Sequence, residues 1–262
     1  MGDAPSLEQR FVFHSIAERY DRARPTYPEP LIDAALALAE LPARGLILEI
    51  GCGTGQATRS LARRGHALVA LEPGSDLAAL ARKHLAAYPD VAILETTFED
   101  WPLEPARFDL VLAAQSFHWI DADRRFTKAA DALRPGGALA VIGNATEPDT
   151  SPLRAALDAA YAEHAPSLAG ASPMSWYDAE GPLPRLFAES VRFAPAVHRS
   201  VPWSMRFRAE EYVALLGTYS DHLMLPPAQR SALFAAVSDS IERAGGEFCI
   251  TYRANLHLAR RR

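Results

Sequence analysis

The sequence predicts an α/β protein with a doubly wound, mostly parallel sheet and a helical cap, and three observations carry that expectation. Apolar strand-like runs alternate with helix-like runs between residues 42 and 145, the mark of stacked βαβ units. One of those strands feeds the glycine loop Gly51-Cys52-Gly53-Thr54-Gly55, which opens a helix. The next strand ends on an acid, Glu72, 21 positions after Gly51.

Along the chain, residues 7–20 place Phe11, Ile16, Ala17 and Tyr20 at helical spacing, and the prolines of 24–28 stop that helix. Residues 31–41 read as a second helix, ended by 42–45. The all-apolar Leu46-Ile47-Leu48 that follows fits a strand buried on both faces. Further strands are expected at 67–71, 91–94, 110–113 and 138–143, with helices at 56–64, 75–87 and 121–133. Arg134-Pro135-Gly136-Gly137 separates the last pair with the residues that a helix stop and a tight turn require. Beyond this core, 152–165 reads as a helix, the proline-rich 165–184 as a surface loop, 191–201 as a strand, and 209–219 and 227–244 as helices. Gly245-Gly246 turns the chain into 248–258, where apolar and polar residues alternate as in a strand with one buried face. Entry through that turn suggests an antiparallel addition to the sheet. The expected organisation is an N-terminal helical lid over 1–41 and an α/β core over 42–145. Cap helices and the last two strands of the same domain occupy 146–262.

The 262 residues are 49% hydrophobic and carry 27 Lys and Arg against 32 Asp and Glu, a net charge of −5. That composition fills a core and offers no basic field for phosphates, so nucleic acid is not an expected partner. Arg260, Arg261 and Arg262 read as a solvated tail. No apolar run nears the roughly 18–20 residues of a membrane helix. With Asp3, Glu8 and Arg10, the N-terminus lacks the apolar region of a signal peptide. The expectation is a cytoplasmic protein without a membrane partner. Cys52 and Cys249 are too few for a disulfide framework and lack metal-ligand spacing, so neither disulfide nor metal is expected.

The glycine loop is the informative segment. Lacking side chains, glycines let a ligand approach the backbone at the carboxyl end of a strand, and they reach positive φ. Their GxGxG spacing departs from the dinucleotide fingerprint GxGxxG, which would need a glycine where Gln56 stands. Glu72, followed by Pro73, is placed to accept both hydroxyls of a ribose through charge-assisted bonds. The fourth strand delivers Gln115, Ser116, His118 and Trp119 to the carboxyl edge of the sheet, where doubly wound folds bind ligands. A lone histidine is usually structural, but His118 beside Trp119 in this loop is a candidate for contacting substrate.

These features resemble the class I S-adenosylmethionine-dependent methyltransferases, through residues 48–55, Glu72, Phe98-Glu99-Asp100-Trp101-Pro102, 108–121 and 133–137. Residues 17–28 and 115–119 look like a bacterial small-molecule branch akin to trans-aconitate methyltransferase. The resemblance implies a Rossmann-like, seven-stranded sheet of order 3-2-1-4-5-7-6 with strand 7 antiparallel. It implies S-adenosylmethionine as cofactor, S-adenosylhomocysteine as its product, and direct in-line methyl transfer to a small molecule. Gly51, Cys52, Gly53 and Gly55 would then hold the methionine part, and Glu72 with Pro73 the ribose. Where family members often set an acid against adenine this chain has Thr97, which leaves Phe98 stacking or Glu99 hydrogen bonding as alternatives. Phe98 and Trp101 also read as packing residues. Tyr20, Arg24 and Tyr27 belong to a segment that in the family folds over the cofactor, and an arginine and two tyrosines there suit a carboxylate.

Transfer from a sulfonium needs alignment and exclusion of water more than it needs a base. The acceptor pocket is expected between the loop of His118 and Trp119, the segment of Tyr20 and Tyr27, and the cap from Trp203 to His222. Tyr27, Trp119, Trp203 and His222 are its candidate contacts, His118 its candidate catalytic group, and Gln115, Tyr20 and Arg24 candidate cofactor contacts. Carboxylic acid O-methylation is the acceptor chemistry carried forward, with N and C acceptors open. Two rival readings stand beside it: a nicotinamide-dependent oxidoreductase, and a cofactor-binding protein without turnover.

Overall fold

Seven strands build one sheet in the computed structural model, which describes residues 17–170 and 173–262. They are β1 (Leu46–Ile50), β2 (Ala67–Leu71), β3 (Val91–Leu94), β4 (Phe108–Ala114), β5 (Leu133–Thr146), β6 (Val197–Arg208) and β7 (Glu247–Arg260). Their order is β3-β2-β1-β4-β5-β7-β6. β7 runs antiparallel to both neighbours, while the other pairs are parallel. Order and direction are those the resemblance implied.

Helices cover both faces: α1 (Ala17–Ala23), α2 (Glu29–Leu38), α3 (Gln56–Arg63), α4 (Ser75–His84), α5 (Arg125–Ala132), α6 (Pro152–His164) and α7 (Pro182–Glu189). The cap adds α8 (Ala209–Leu216), α9 (Ser220–Leu223) and α10 (Pro227–Arg243). On one face Leu31 and Ile32 of α2 and Leu61 of α3 share a core with Ile47, Leu110 and Ala140. On the other, Ala129 of α5 and Phe187 of α7 join Leu48, Val111 and Val141. Burial of each such side chain contributes about 1.5–3 kcal/mol. Being covered on both faces is why β1, β2 and β4 read as unbroken apolar runs. Leu157, Leu216, Leu233 and Val237 give the cap its own apolar centre.

Several expectations change. The first helix is described only from Ala17 and runs to Ala23; its expected residues 7–16 lie outside the described residues. Residues 134–137 bulge out of the β4–β5 ladder, whose pairing jumps from Leu133 to Ala138. The expected surface loop over 165–184 instead holds two short 3-10 turns, Pro166–Leu168 and Pro173–Tyr177, and the first turn of α7. Pro182 opens α7, where its missing N–H leaves nothing unpaired. Tyr177 is fully buried and seated on Gly143, where any Cβ would collide with the ring. The expected strand over 191–201 begins only at Val197 and continues to Arg208. In β7 the alternation fails from Ala254 onward, because both faces are covered. There His257 Nε2 pairs with the Tyr177 carbonyl at 2.9 Å, and burial lowers that imidazole to about 4. Nor are the terminal arginines a solvated tail: Arg260 donates to the carbonyls of Gly136 and Leu38, and Arg261 to that of Leu133. Among the described residues no helix is long and apolar enough to cross a membrane.

Candidate functional site

A cavity of about 1350 Å³ opens where β1 and β4 end, between the glycine loop, the strap of α1 and the residues after it, the β4 loop, and the cap. Its volume exceeds the roughly 300–1000 Å³ of a single small-molecule pocket, so it has room for two ligands.

The loop wall is set by backbone. Gly51 N and Cys52 N both donate to the Leu71 carbonyl, at 2.8 and 3.0 Å. Gly51 has φ +68, and a Cβ there would lie 2.6 Å from Ser116 Cβ, so the glycine also admits the β4 loop. Gly51, Cys52 and Gly53 line the cavity, whereas Gly55 faces Leu85 and serves the turn into α3. Glu72 stands behind the loop: its carboxylate accepts from Gly53 N and Gly74 N, each at 2.8 Å. Burial pushes that carboxyl up to about 7 against the pull of the two amides. Glu72 itself is buried and does not line the cavity, so it acts on the loop from behind.

Sequence reasoning missed Glu49. It is buried in β1 with both carboxylate oxygens unpartnered, it lines the cavity, and burial raises it to about 7. An acid inside the apolar run Leu46–Ile50 was the available signal. An orphaned buried carboxylate beside a glycine cradle fits a ligand with a cationic amine, as S-adenosylmethionine has.

The strap closes over this wall. Arg24 lies between the rings of Tyr20 and Tyr219, at 4.8 and 4.6 Å, and donates to the Thr218 carbonyl at 2.6 Å. Tyr27 donates to Gln115 Oε1 at 3.2 Å. Asp21 fastens the strap to the loop by accepting from Thr54 Oγ at 2.7 Å. Gln115 holds φ +52, a conformation a non-glycine residue adopts only where its surroundings impose it. Tyr20, Arg24, Tyr27, Gln115, His118 and Trp119 all line the cavity. His118 Nδ1 shares a 2.6 Å hydrogen bond with the hydroxyl of Tyr177, a residue inside the expected surface loop over 165–184.

Four further expected contacts lie elsewhere. Phe98 is buried, stacked on Trp101 at 6.3 Å, and Glu99 accepts from Asp121 N at 2.9 Å; neither lines the cavity, and nor does Pro73. Trp203 is also off the wall: it stacks on Tyr252 at 4.9 Å and donates to Asn144 Oδ1 at 3.0 Å. Asn144 in turn donates to the Thr26 carbonyl at 3.3 Å, so Trp203 braces the strap from behind. His222 does line the cavity, flanked by Asp221 and Tyr161, two residues without a sequence signal.

Residues 47–137 match the methyltransferase-domain family. That stretch is thus similar to a methyltransferase domain over about a third of the chain. An uncharacterized methyltransferase of Mycobacterium tuberculosis is 39% identical over 132 residues, covering 50% of this chain and 51% of that protein. A trans-aconitate 2-methyltransferase of Afipia carboxidovorans is 33% identical over 128 residues, 48% of each chain. The chain thus matches about half the length of these curated relatives. Among solved structures, a candidate type II methyltransferase from Anaeromyxobacter dehalogenans aligns with TM-score 0.62 at 24% identity, over 90% of this chain and 97% of that one. That likeness is one of fold.

Proposed function

We propose that this chain transfers the methyl group of S-adenosylmethionine, by direct in-line displacement, to a small molecule of the cytoplasm. The observation that carries the reading is a glycine loop and an orphaned Glu49 carboxylate on one wall of a cavity large enough for a second ligand. When bound, the cofactor supplies a methyl already activated on a sulfonium. Gly51, Cys52, Gly53 and Glu49 would hold its methionine end, and Glu72 its ribose. Tyr20, Arg24 and Tyr27 cover the mouth and exclude water. His118 and Trp119 form the wall against which the acceptor is aligned, and alignment supplies most of the catalysis. Arg24 on the wall and the Afipia relative support a carboxylic acid as the accepting group. A net charge of −5 supports a small molecule over nucleic acid.

Calorimetry with S-adenosylmethionine, S-adenosylhomocysteine and NAD tests the class: the first two bind and NAD does not. NAD binding alone would make the protein an oxidoreductase. Incubation with labelled cofactor and a metabolite pool then yields a labelled product, and its absence from every pool leaves a binding protein without turnover.

A further inference from the structure

The cap end of the cavity is walled by Tyr161, Tyr212, Leu216, Tyr219 and Phe248. Besides the Arg154–Asp158 ion pair, its polar groups include a line of three hydrogen-bonded side chains. The Asp221 carboxylate accepts from the backbone N–H of His222 at 2.8 Å and lies 2.7 Å from ring Nδ1. Ring Nε2 lies 2.6 Å from the Tyr161 hydroxyl. The His222 ring is buried beside Tyr219 and Phe234, while Tyr161 stands on the cavity wall.

The direction of this line follows from what each group can donate. Burial pushes the Asp221 carboxyl up, but the hydrogen bonds from His222, with Arg24 nearby, outweigh it and hold the group below its ordinary value, so it is ionised. A carboxylate donates nothing, so Nδ1 carries the imidazole hydrogen. In the neutral ring Nε2 is then an acceptor. Burial raises the Tyr161 phenol, which keeps its single hydrogen and donates it to Nε2. Only lone pairs of the Tyr161 oxygen are left for the cavity, on a phenol polarised by the chain behind it. The line stands apart from the cofactor wall. Arg24 and the rings of Tyr20 and Tyr219 intervene, with Tyr20 against Gly53.

We propose that Asp221, His222 and Tyr161 form an anchor subsite for a hydrogen-bond donor, a protonated amine or a hydroxyl, on the end of the acceptor remote from the methylated atom. Tyr212 and Tyr219 flank the apolar body of the molecule, and their rings favour a cation. Binding energy collected at the remote end orients the reacting end. The subsite rests on the methyltransferase reading only in calling its ligand the acceptor.

The test is calorimetry on the full chain, with the amine probe protonated, with and without S-adenosylhomocysteine. Phenylpropylamine, phenylpropanol and phenylpropanoate are the probes. The amine and the alcohol bind the native chain. Tyr161→Phe lowers the affinity of both about tenfold, with phenylpropanoate and S-adenosylhomocysteine affinities unchanged. Asp221→Asn keeps an acceptor for Nδ1–H and removes the charge, so it weakens the amine more than the alcohol; it carries the test should Tyr161→Phe not fold. No binding of amine or alcohol to the native chain, or a Tyr161→Phe loss shared equally with phenylpropanoate, overturns the subsite. Failure of the native chain to bind S-adenosylhomocysteine overturns the methyltransferase reading instead, and leaves the amine selectivity readable on the ligand-free protein.

Discussion

Two walls of the cavity are made differently. On the loop wall the geometry is backbone: Gly51 N and Cys52 N on the Leu71 carbonyl, and Gly53 N and Gly74 N on Glu72. Across the β4 loop and the cap it is side chain to side chain, between residues far apart in sequence. Tyr161 and His222 are 61 positions apart, and His118 and Tyr177 are 59 apart. A wall of backbone amides keeps its contacts through most side-chain substitutions. A wall of paired side chains can change its acceptor by single substitutions, since fold alone does not fix function.

The sharpest way to break that comparison is Gly51→Ala. The methyl group meets Ser116 Cβ at a φ of +68, and strain plus overpacking removes about 2–5 kcal/mol of stability. Urea unfolding measures it, and a loss under about 1 kcal/mol means the loop is softer than its hydrogen bonds imply.

Next in size, Glu72→Ala removes a charge-assisted bond of about 1.5–3 kcal/mol and weakens S-adenosylmethionine binding roughly ten- to a hundredfold or more. Unchanged affinity in the folded variant removes Glu72 from the cofactor site. On the opposite wall, His118→Ala lowers turnover about tenfold or more once an acceptor is known, with cofactor affinity unchanged. A folded and fully active variant shows that this loop is not the acceptor site.

Glu49 sharpens the comparison through pH. Its folded, ligand-free carboxyl sits at about 7 against an ordinary 4.5. As pH rises the unfolded chain releases this proton first. The folded state is therefore favoured most below about 4.5, and that advantage is lost as pH climbs through about 7. Glu49→Gln flattens this fall in the ligand-free protein by roughly 1–2 kcal/mol across the window, read from denaturation at stepped pH. An equal slope in both proteins means the group is solvated or paired. The smallest effect is expected for Trp203→Phe, which loses the bond to Asn144 and about 0.5–1.5 kcal/mol. Its acceptor Michaelis constant stays put, and a rise would return Trp203 to the pocket.

What the sequence determined by itself was everything with a short period or a local backbone demand. The apolar runs of β1, β2 and β4, the glycines at 51 and 53, the acid at 72 and the turn at 245–246 are each set by a few neighbouring residues. Local sterics and one-sided or two-sided burial leave those patterns little freedom. The tertiary structure alone decided that Tyr177 would leave an apparent loop to meet His118, that Trp203 would brace Asn144 instead of a ligand, and that Tyr161 would meet His222. It also decided that the carboxylate of Glu49 would be buried without a partner. The reason is physical: such contacts depend on how finished helices and strands dock. A hydrogen bond between side chains about sixty residues apart leaves no periodicity in the chain that encodes it.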